Sequence, residues 1–427
     1  VIVEDYFQKS TGLAGSDYDQ ARHASLDTVR SVTRLHIRPK PKASRFRNIE
    51  IACDWMDERE RYRDRLGEIG VGAQDILNCT QSGGISLSGV CEFPDTNQTV
   101  RASLIVRQEG FISKYQLNDP ATVGPWQSRR IAMFGIEDEI IGLNERVTLL
   151  PSIRLQRIEN RFNGDPYYPY PGSTASNHSA VNRFGPALGL GIRLTNEWEL
   201  KANAGRYYRA PAFYELFGDR GGIVGNGLLQ PEESLNMDVG IRFSKENAVW
   251  ARRATFEAAY FRTQARQLIL LVQNSQDTAR AENIGEATID GFELTGEWRI
   301  SDRVGISGNY TWQDARDTSS ISYSSGKRLP GRSEQESTAT ISIMAAADVR
   351  LFAEYSYQSD TYWDRQNLVR VPDREIINAG ATWKRSISGM KTSMTVEVRN
   401  ATDNRITDIA RYPLPGRSWF MTVGIVF

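Results

Sequence analysis

Hydrophobic residues fall at every second position along most of this chain. In the last ten residues, Trp419, Met421, Val423, Ile425 and Phe427 share one face, and Ser418, Phe420, Thr422, Gly424 and Val426 share the other. A side-chain period of two is that of a β-strand. Ile85, Leu87, Cys91 and Phe93 repeat the pattern against Ser86, Ser88 and Glu92. So do Leu235, Met237, Val239, Ile241 and Phe243 against Asn236, Asp238, Gly240 and Arg242. Further runs include Phe292–Trp298, Val304–Trp312, Val349–Tyr357 and Met394–Val398. Matching the alternation template along the chain predicts about 18 strands, while the 3.6-residue period of helices is almost absent.

The polar faces of these strands carry Glu, Arg, Asp and Asn at mid-strand, and such groups cannot be buried dry without a large cost. Alternation alone does not say whether the apolar face meets a protein core or lipid, and a large soluble sandwich alternates too. Two features favour lipid. Trp298, Tyr310, Trp312, Tyr355 and Tyr357 gather near predicted strand ends, where an interfacial girdle sits. Connections also alternate in length: 142–145, 195–197, 301–302 and 345–348 are short, whereas 161–180, 209–233, 264–287, 314–333, 358–373 and 401–417 are long. Short turns on one side and long loops on the other mark an outer-membrane barrel. Counted back from Phe427, every long loop falls on the outer side. The expected fold is therefore all-β, a transmembrane antiparallel up-and-down β-barrel of the bacterial outer membrane.

Composition agrees with that picture and removes some functions. The 427 residues carry 52 basic and 52 acidic side chains, so there is no basic excess for nucleic acid. Mean hydropathy is −0.46, and no run reaches the roughly 18 apolar residues of a membrane helix. Barrel strands average lipid-facing with water-facing positions, so a polar mean is compatible with them. Three His and three Cys leave little material for a metal site, and no cofactor or metal is expected. His23, His36 and His178 sit in unrelated places, outside any nucleophile or metal motif, so an enzyme is not expected. The run of Asp54, Asp57, Glu58 and Glu60 among Arg59, Arg61, Arg63 and Arg65 reads as a solvated strand extension above the membrane. Among Cys53, Cys79 and Cys91, one pair bridges with one thiol left over, or all three stay reduced; spacing does not choose. The chain opens at Val1 without Met or a secretory pattern, as a mature exported chain or one lacking its beginning would.

Residues 205–243 read GRYYRAPAFYELFGDRGGIVGNGLLQPEESLNMDVGIRF. Arg209, Ala210, Pro211, Glu215, Leu216 and Phe217, then Gly225, Asn226, Leu229, Pro231, Glu232 and Ser234, resemble the TonB-dependent receptors, outer-membrane active transporters. Asn283-Ile284-Gly285 with Gly291-Phe292-Glu293, Leu329-Pro330-Gly331-Arg332, Val398 to Asp403 and Pro415-Gly416-Arg417 are similar to later parts of the same family. The likeness is strong from about residue 128 onward and thin before residue 100. It implies uptake of a scarce nutrient such as a ferric siderophore, driven by TonB. Partners are then the lipid bilayer with lipopolysaccharide, the barrel-assembly machinery, for which the terminal Phe427 belongs to the assembly signal, and TonB through a plug.

Residues 1–427 are read as the C-terminal portion of a barrel domain, with no plug in the chain. Barrels of plugged transporters have roughly 22 strands, so an open wall is expected to be completed by further residues, a partner chain or closure at smaller size. Without a plug, the competing reading is a structural subunit of an outer-membrane complex or a passive pore. Tyr167, Tyr168, Tyr207, Tyr208, Arg209 and Tyr214 are the candidate ligand contacts, because aromatic rings beside Arg at a barrel mouth suit such a ligand.

Overall fold

The computed structural model describes the chain except for residues 14, 16–19, 40–44, 70–71, 118–120, 165–175, 219–222, 274–278, 388, 410–411 and 427. Among the described residues, eighteen long antiparallel strands belong to one sheet, with the two-residue strand Thr122–Val123 attached. In chain order they are β1 Ile2–Gly12, β2 Ser25–Ile37, β3 Phe46–Asp64, β4 Gln74–Phe93, β5 Gln98–Tyr115, β6 Gln127–Gly142, β7 Val147–Asn163, β8 Ser176–Arg193 and β9 Trp198–Arg209. There follow β10 Glu232–Ala248, β11 Ala251–Arg266, β12 Glu286–Arg299, β13 Val304–Asp317, β14 Gln335–Ala346, β15 Val349–Gln358, β16 Arg374–Ile387, β17 Met390–Arg399 and β18 Ser418–Val426. The strand expected at Val1–Phe7 runs on to Gly12, because every residue of it pairs with β2 from Leu35 to Ser25.

The chain divides into two compact units. One comprises Val1–Leu190, Asn203–Asn236 and Ala265–Glu286, and the other Gly191–Ala202, Met237–Gln264 and Ala287–Phe427. In the first, β1 to β7 form a meander in which each strand pairs with the next. In the second, β12 to β18 do the same. The connections 94–97, 143–146, 194–197, 249–250, 300–303, 347–348 and 388–389 are short, and each alternates with a longer one. Strands β3, β4 and β5 have 19, 20 and 18 residues. A tilted spanning strand needs only roughly 9–11, so these extend beyond the hydrocarbon.

In both units the large apolar side chains of the strands are uncovered. Trp419 is 70% and Met421 67% exposed, and Val423 and Ile425 are open as well. Ile85, Leu87, Leu104 and Val106 repeat this in the first unit, as do Phe292, Leu294, Ile341 and Leu351 in the second. A soluble sheet would bury this face, so its exposure identifies it as the lipid-facing one. At the short-turn end of the second unit, the rings of Trp250 and Trp298 lie 6.3 Å apart and those of Trp198 and Phe243 4.9 Å apart. They form the aromatic row expected where hydrocarbon meets headgroups. Cys53, Cys79 and Cys91 are all free thiols.

Candidate functional site

The apolar core of the first unit lies at the long-connection end of the wall rather than between sheets. Phe162, Leu216, Leu229, Ile269 and Ala281 form it, with Phe213, Phe217 and Leu271 packed against them. It exists because the connection after β9 folds back over the wall. Pro211 has no amide hydrogen to continue the ladder, and the chain turns into a one-turn helix, α1, at Phe213–Phe217. Phe217 then stacks on Phe111 at 5.3 Å, Phe213 packs tilted against the same ring at 5.7 Å, and Phe217 meets Phe162 edge-on at 5.0 Å. On β5 the exposed large apolar residues are the even-numbered Leu104 and Val106, and on β7 the odd-numbered Leu149, Ile153 and Leu155. Phe111 and Phe162 therefore sit on the water-side face, and so does the strap resting on them.

One guanidinium ties the strap down. Arg209, the last residue of β9, donates through Nη1 and Nη2 to Glu215 at 3.0 and 3.1 Å, and through Nε and Nη2 to Glu232 at 2.6 and 2.7 Å. Each carboxylate is used again: Glu215 accepts the Ala212 amide at 2.6 Å and so caps α1, and Glu232 accepts the Ile269 amide at 2.8 Å. Bidentate, charge-assisted pairs of this kind are the strong hydrogen bonds of proteins. Asn226 adds a second tie. Its amide donates to the Glu215 carbonyl at 2.9 Å and its side-chain Nδ2 to the Ala281 carbonyl at 2.9 Å. Gly225 is required by space: a Cβ there would lie 2.3 Å from the carbonyl carbon of Phe217. Pro231 is buried just before β10.

Across the wall, Arg129 of β6 holds the other side of the strap. Its side chain is 5% exposed. It donates to the Pro211 carbonyl at 2.7 Å and to Asn160 Oδ1 at 2.9 Å, and its cation lies 5.0 Å from the centre of the Phe213 ring. Asn283 pins the following connection, bonding to both the amide and the carbonyl of Gln230.

The motif residues Arg209, Pro211, Glu215, Gly225, Asn226, Pro231 and Glu232 are thus brought into one assembly, and its chemistry is fastening. With both carboxylates on it, Arg209 makes four hydrogen bonds inside the protein. Tyr207 shares the water-side face of β9 with Arg209 and is 42% exposed, and Tyr214 on α1 is 39% exposed. Tyr208 follows on the other face of the strand, and its hydroxyl donates to the Phe184 carbonyl at 3.3 Å while Arg183 lies over its ring. Tyr167, Tyr168 and Phe427 lie outside the described residues. Sequence reasoning missed Arg129, Phe111 and Phe162. The last two did leave a signal: each is a large ring out of phase with the apolar face of its own strand.

A second brace in this unit holds the connection between β3 and β4. Buried Asp75 accepts two bonds each from Arg61 and Arg65. Asp64 accepts the amides of Glu68 and Ile69. Glu68 in turn accepts three successive amides, of Arg22, His23 and Ala24, and pairs with His23 Nδ1 at 3.0 Å. These bonds, led by that of the His23 ring, hold the Glu68 carboxyl down at about 2. The charged run is therefore partly a fastening and not only a solvated extension. Among the described residues no cluster of His, Cys, Asp and Glu is arranged to hold a metal.

Comparison with known proteins identifies the family of the barrel. Residues 105–401 match the family model for the β-barrel of TonB-dependent receptor-like proteins. The ferrienterobactin receptor of Escherichia coli K12 is 25% identical over 312 residues, which are 60% of this chain and 40% of that receptor. The chain thus spans less than half the length of that relative. The crystal structure of the siderophore receptor PiuA from Acinetobacter baumannii superposes with a TM-score of 0.77 at 14% identity, covering 99% of this chain and 71% of that one. The copper transporter OprC gives 0.76 at 14% identity, covering 94% and 66%.

Proposed function

Since the chain belongs to the TonB-dependent receptor family through its β-barrel, an outer-membrane family of receptors and transporters rather than enzymes, we propose that it forms the wall of a receptor for a ferric siderophore. In this reading residues 1–427 supply barrel, and transport depends on TonB acting through a plug. The observation that carries it is the fastened strap. Arg209, Arg129 and Asn226 hold the connection after β9 rigidly on the water-side face, and Tyr207 and Tyr214 stand exposed on that rigid base. Aromatic rings fixed in this way contact a large, partly apolar chelate at little entropic cost. Arg209 then acts as a positioning residue, with four hydrogen bonds committed to the two carboxylates of the strap. The names of two relatives, the ferrienterobactin and PiuA receptors, point to the same ligand class.

The test is uptake of radioactive iron by cells whose only receptor is the full-length protein, offered a panel of ferric siderophores. At least one should be taken up, and removal of TonB should abolish it. Replacing Tyr207 and Tyr214 together with Ala should weaken binding about tenfold, the size expected for losing one or two ring contacts. Uptake that persists without TonB, or no binding of any ferric chelate, overturns the reading.

A further inference from the structure

The lipid-facing surface of the second unit is not uniformly bulky. Where β12, β13 and β14 run side by side, Gly296 pairs with Gly308 and Gly308 with Ala339. Three adjacent strands therefore present almost no side chain at one level. Elsewhere the same face is filled: Ile85 pairs with Val106, and Leu87 with Leu104. On one side of the bare row stand Leu294 and Tyr310, paired with each other. On the other, the rings of Trp198, Phe243 and Phe256 follow in sequence at 4.9 and 6.4 Å, with Phe256 leaning over Gly296. Between these banks lies an open groove of about 730 Å³. That volume falls within the range of sites that hold small apolar ligands, roughly 300–1,000 Å³.

We infer that this groove seats one acyl chain of a phospholipid from the periplasmic leaflet of the outer membrane. The occupant follows from where the groove lies. Its floor and banks are continuous with the exposed apolar face, and that face meets bilayer. Trp198 and Trp298 mark the short-turn, periplasmic boundary, and Gly296 and Gly308 lie two and four residues from Trp298 and Val304. At roughly 3.3 Å per residue along a strand tilted by about 45°, the floor is about 5–10 Å above that boundary. A leaflet's hydrocarbon is roughly 15 Å deep, so the groove opens into the inner leaflet, which is phospholipid, and not into the outer one, which carries lipopolysaccharide. A flexible chain follows a trough bounded by rings, whereas a second barrel wall, being convex, leaves it empty. The inference rests on residence in the outer membrane and not on the transport reading, so the two fail separately.

The experiment is native mass spectrometry of the full-length protein, extracted in mild detergent and exposed to a defined diacyl phospholipid. The wild type should retain one phospholipid. Ala339→Leu, which fills the floor from a position that already has a Cβ, should retain it about tenfold less, the factor expected for losing about two buried methylenes. Ala102→Leu, equal in bulk on the lipid face of β5, should behave as wild type. If Ala339→Leu fails to assemble, Ser337→Leu beside Tyr310 fills the groove from its edge. Equal retention by wild type and groove variants overturns the proposal. So does retention of lipopolysaccharide in place of phospholipid, or a dimer that the groove variants abolish.

Discussion

Arg209→Met offers a sharp test of the fastening role. The substitution keeps much of the side chain's length and removes four hydrogen bonds to Glu215 and Glu232. It leaves two facing carboxylates whose side chains are only 6% and 15% exposed. Breaking a buried ion pair from one side costs about 3–5 kcal/mol. The Arg209 side chain is itself 44% exposed, so the lower end, about 3 kcal/mol, applies after allowance for solvent screening. At 1.4 kcal/mol per decade that is roughly a hundredfold rise in the open population of the strap. Hydrogen exchange of the full-length protein in micelles reads it directly, because local opening sets the exchange rate of the affected amides. The amides of Ala212, Asn226 and Ile269, each bonded to Glu215 or Glu232, should exchange about a hundredfold faster, with those of β13 and β14 unchanged. Adding Glu215→Gln and Glu232→Gln should recover most of the protection, since no buried charge then lacks a partner. Acceleration below about threefold, or a uniform change along the wall, refutes the assignment of the strap's rigidity to this pair.

Three further outcomes follow from the same contacts. Gly225→Ala drives a methyl into the Phe217 backbone, so the strap should lose about 1–3 kcal/mol, visible as new protease cleavage within 210–231 while the barrel still inserts. Phe111→Ala removes a buried ring that two α1 phenylalanines pack against and should destabilise the strap by about 3–5 kcal/mol, measured by exchange at Leu216 and Leu229. The Glu68 carboxyl, depressed to about 2 from its ordinary 4.5, gives stability that is complete above the unfolded value and lost as pH falls through the folded one. Its carboxyl carbon signal in NMR should therefore titrate near 2, and a midpoint near 4.5 would show that the three amides and His23 do not hold it.

How much of this was legible beforehand depended on the range of each signal. Trp419, Met421, Val423 and Ile425 declare a strand and its greasy face within nine residues, because strand periodicity is local and charge facing lipid at mid-membrane is costly. Connection lengths declared the two ends of the wall for the same reason. The fourfold bonding of Arg209 was not legible: the motif showed that Arg209, Glu215 and Glu232 stand close in sequence, but a mouth contact and an internal clamp use the same residues. Tyr207 and Tyr208 looked equivalent as neighbours, yet Tyr207 stands open while Tyr208 is engaged by the Phe184 carbonyl and Arg183, contacts that only the folded chain makes.

The sequence by itself determined the strand content, the alternation and the family, because each is written in spacings of two residues or in a contiguous motif. Only the tertiary structure decided what the motif does. Arg129 reaches the Pro211 carbonyl across 82 residues, and Gly296, Gly308 and Ala339 become one groove only once three strands are aligned. Such sites are made by hydrogen-bond register between distant segments, and register is set by the whole sheet, not by any stretch read alone.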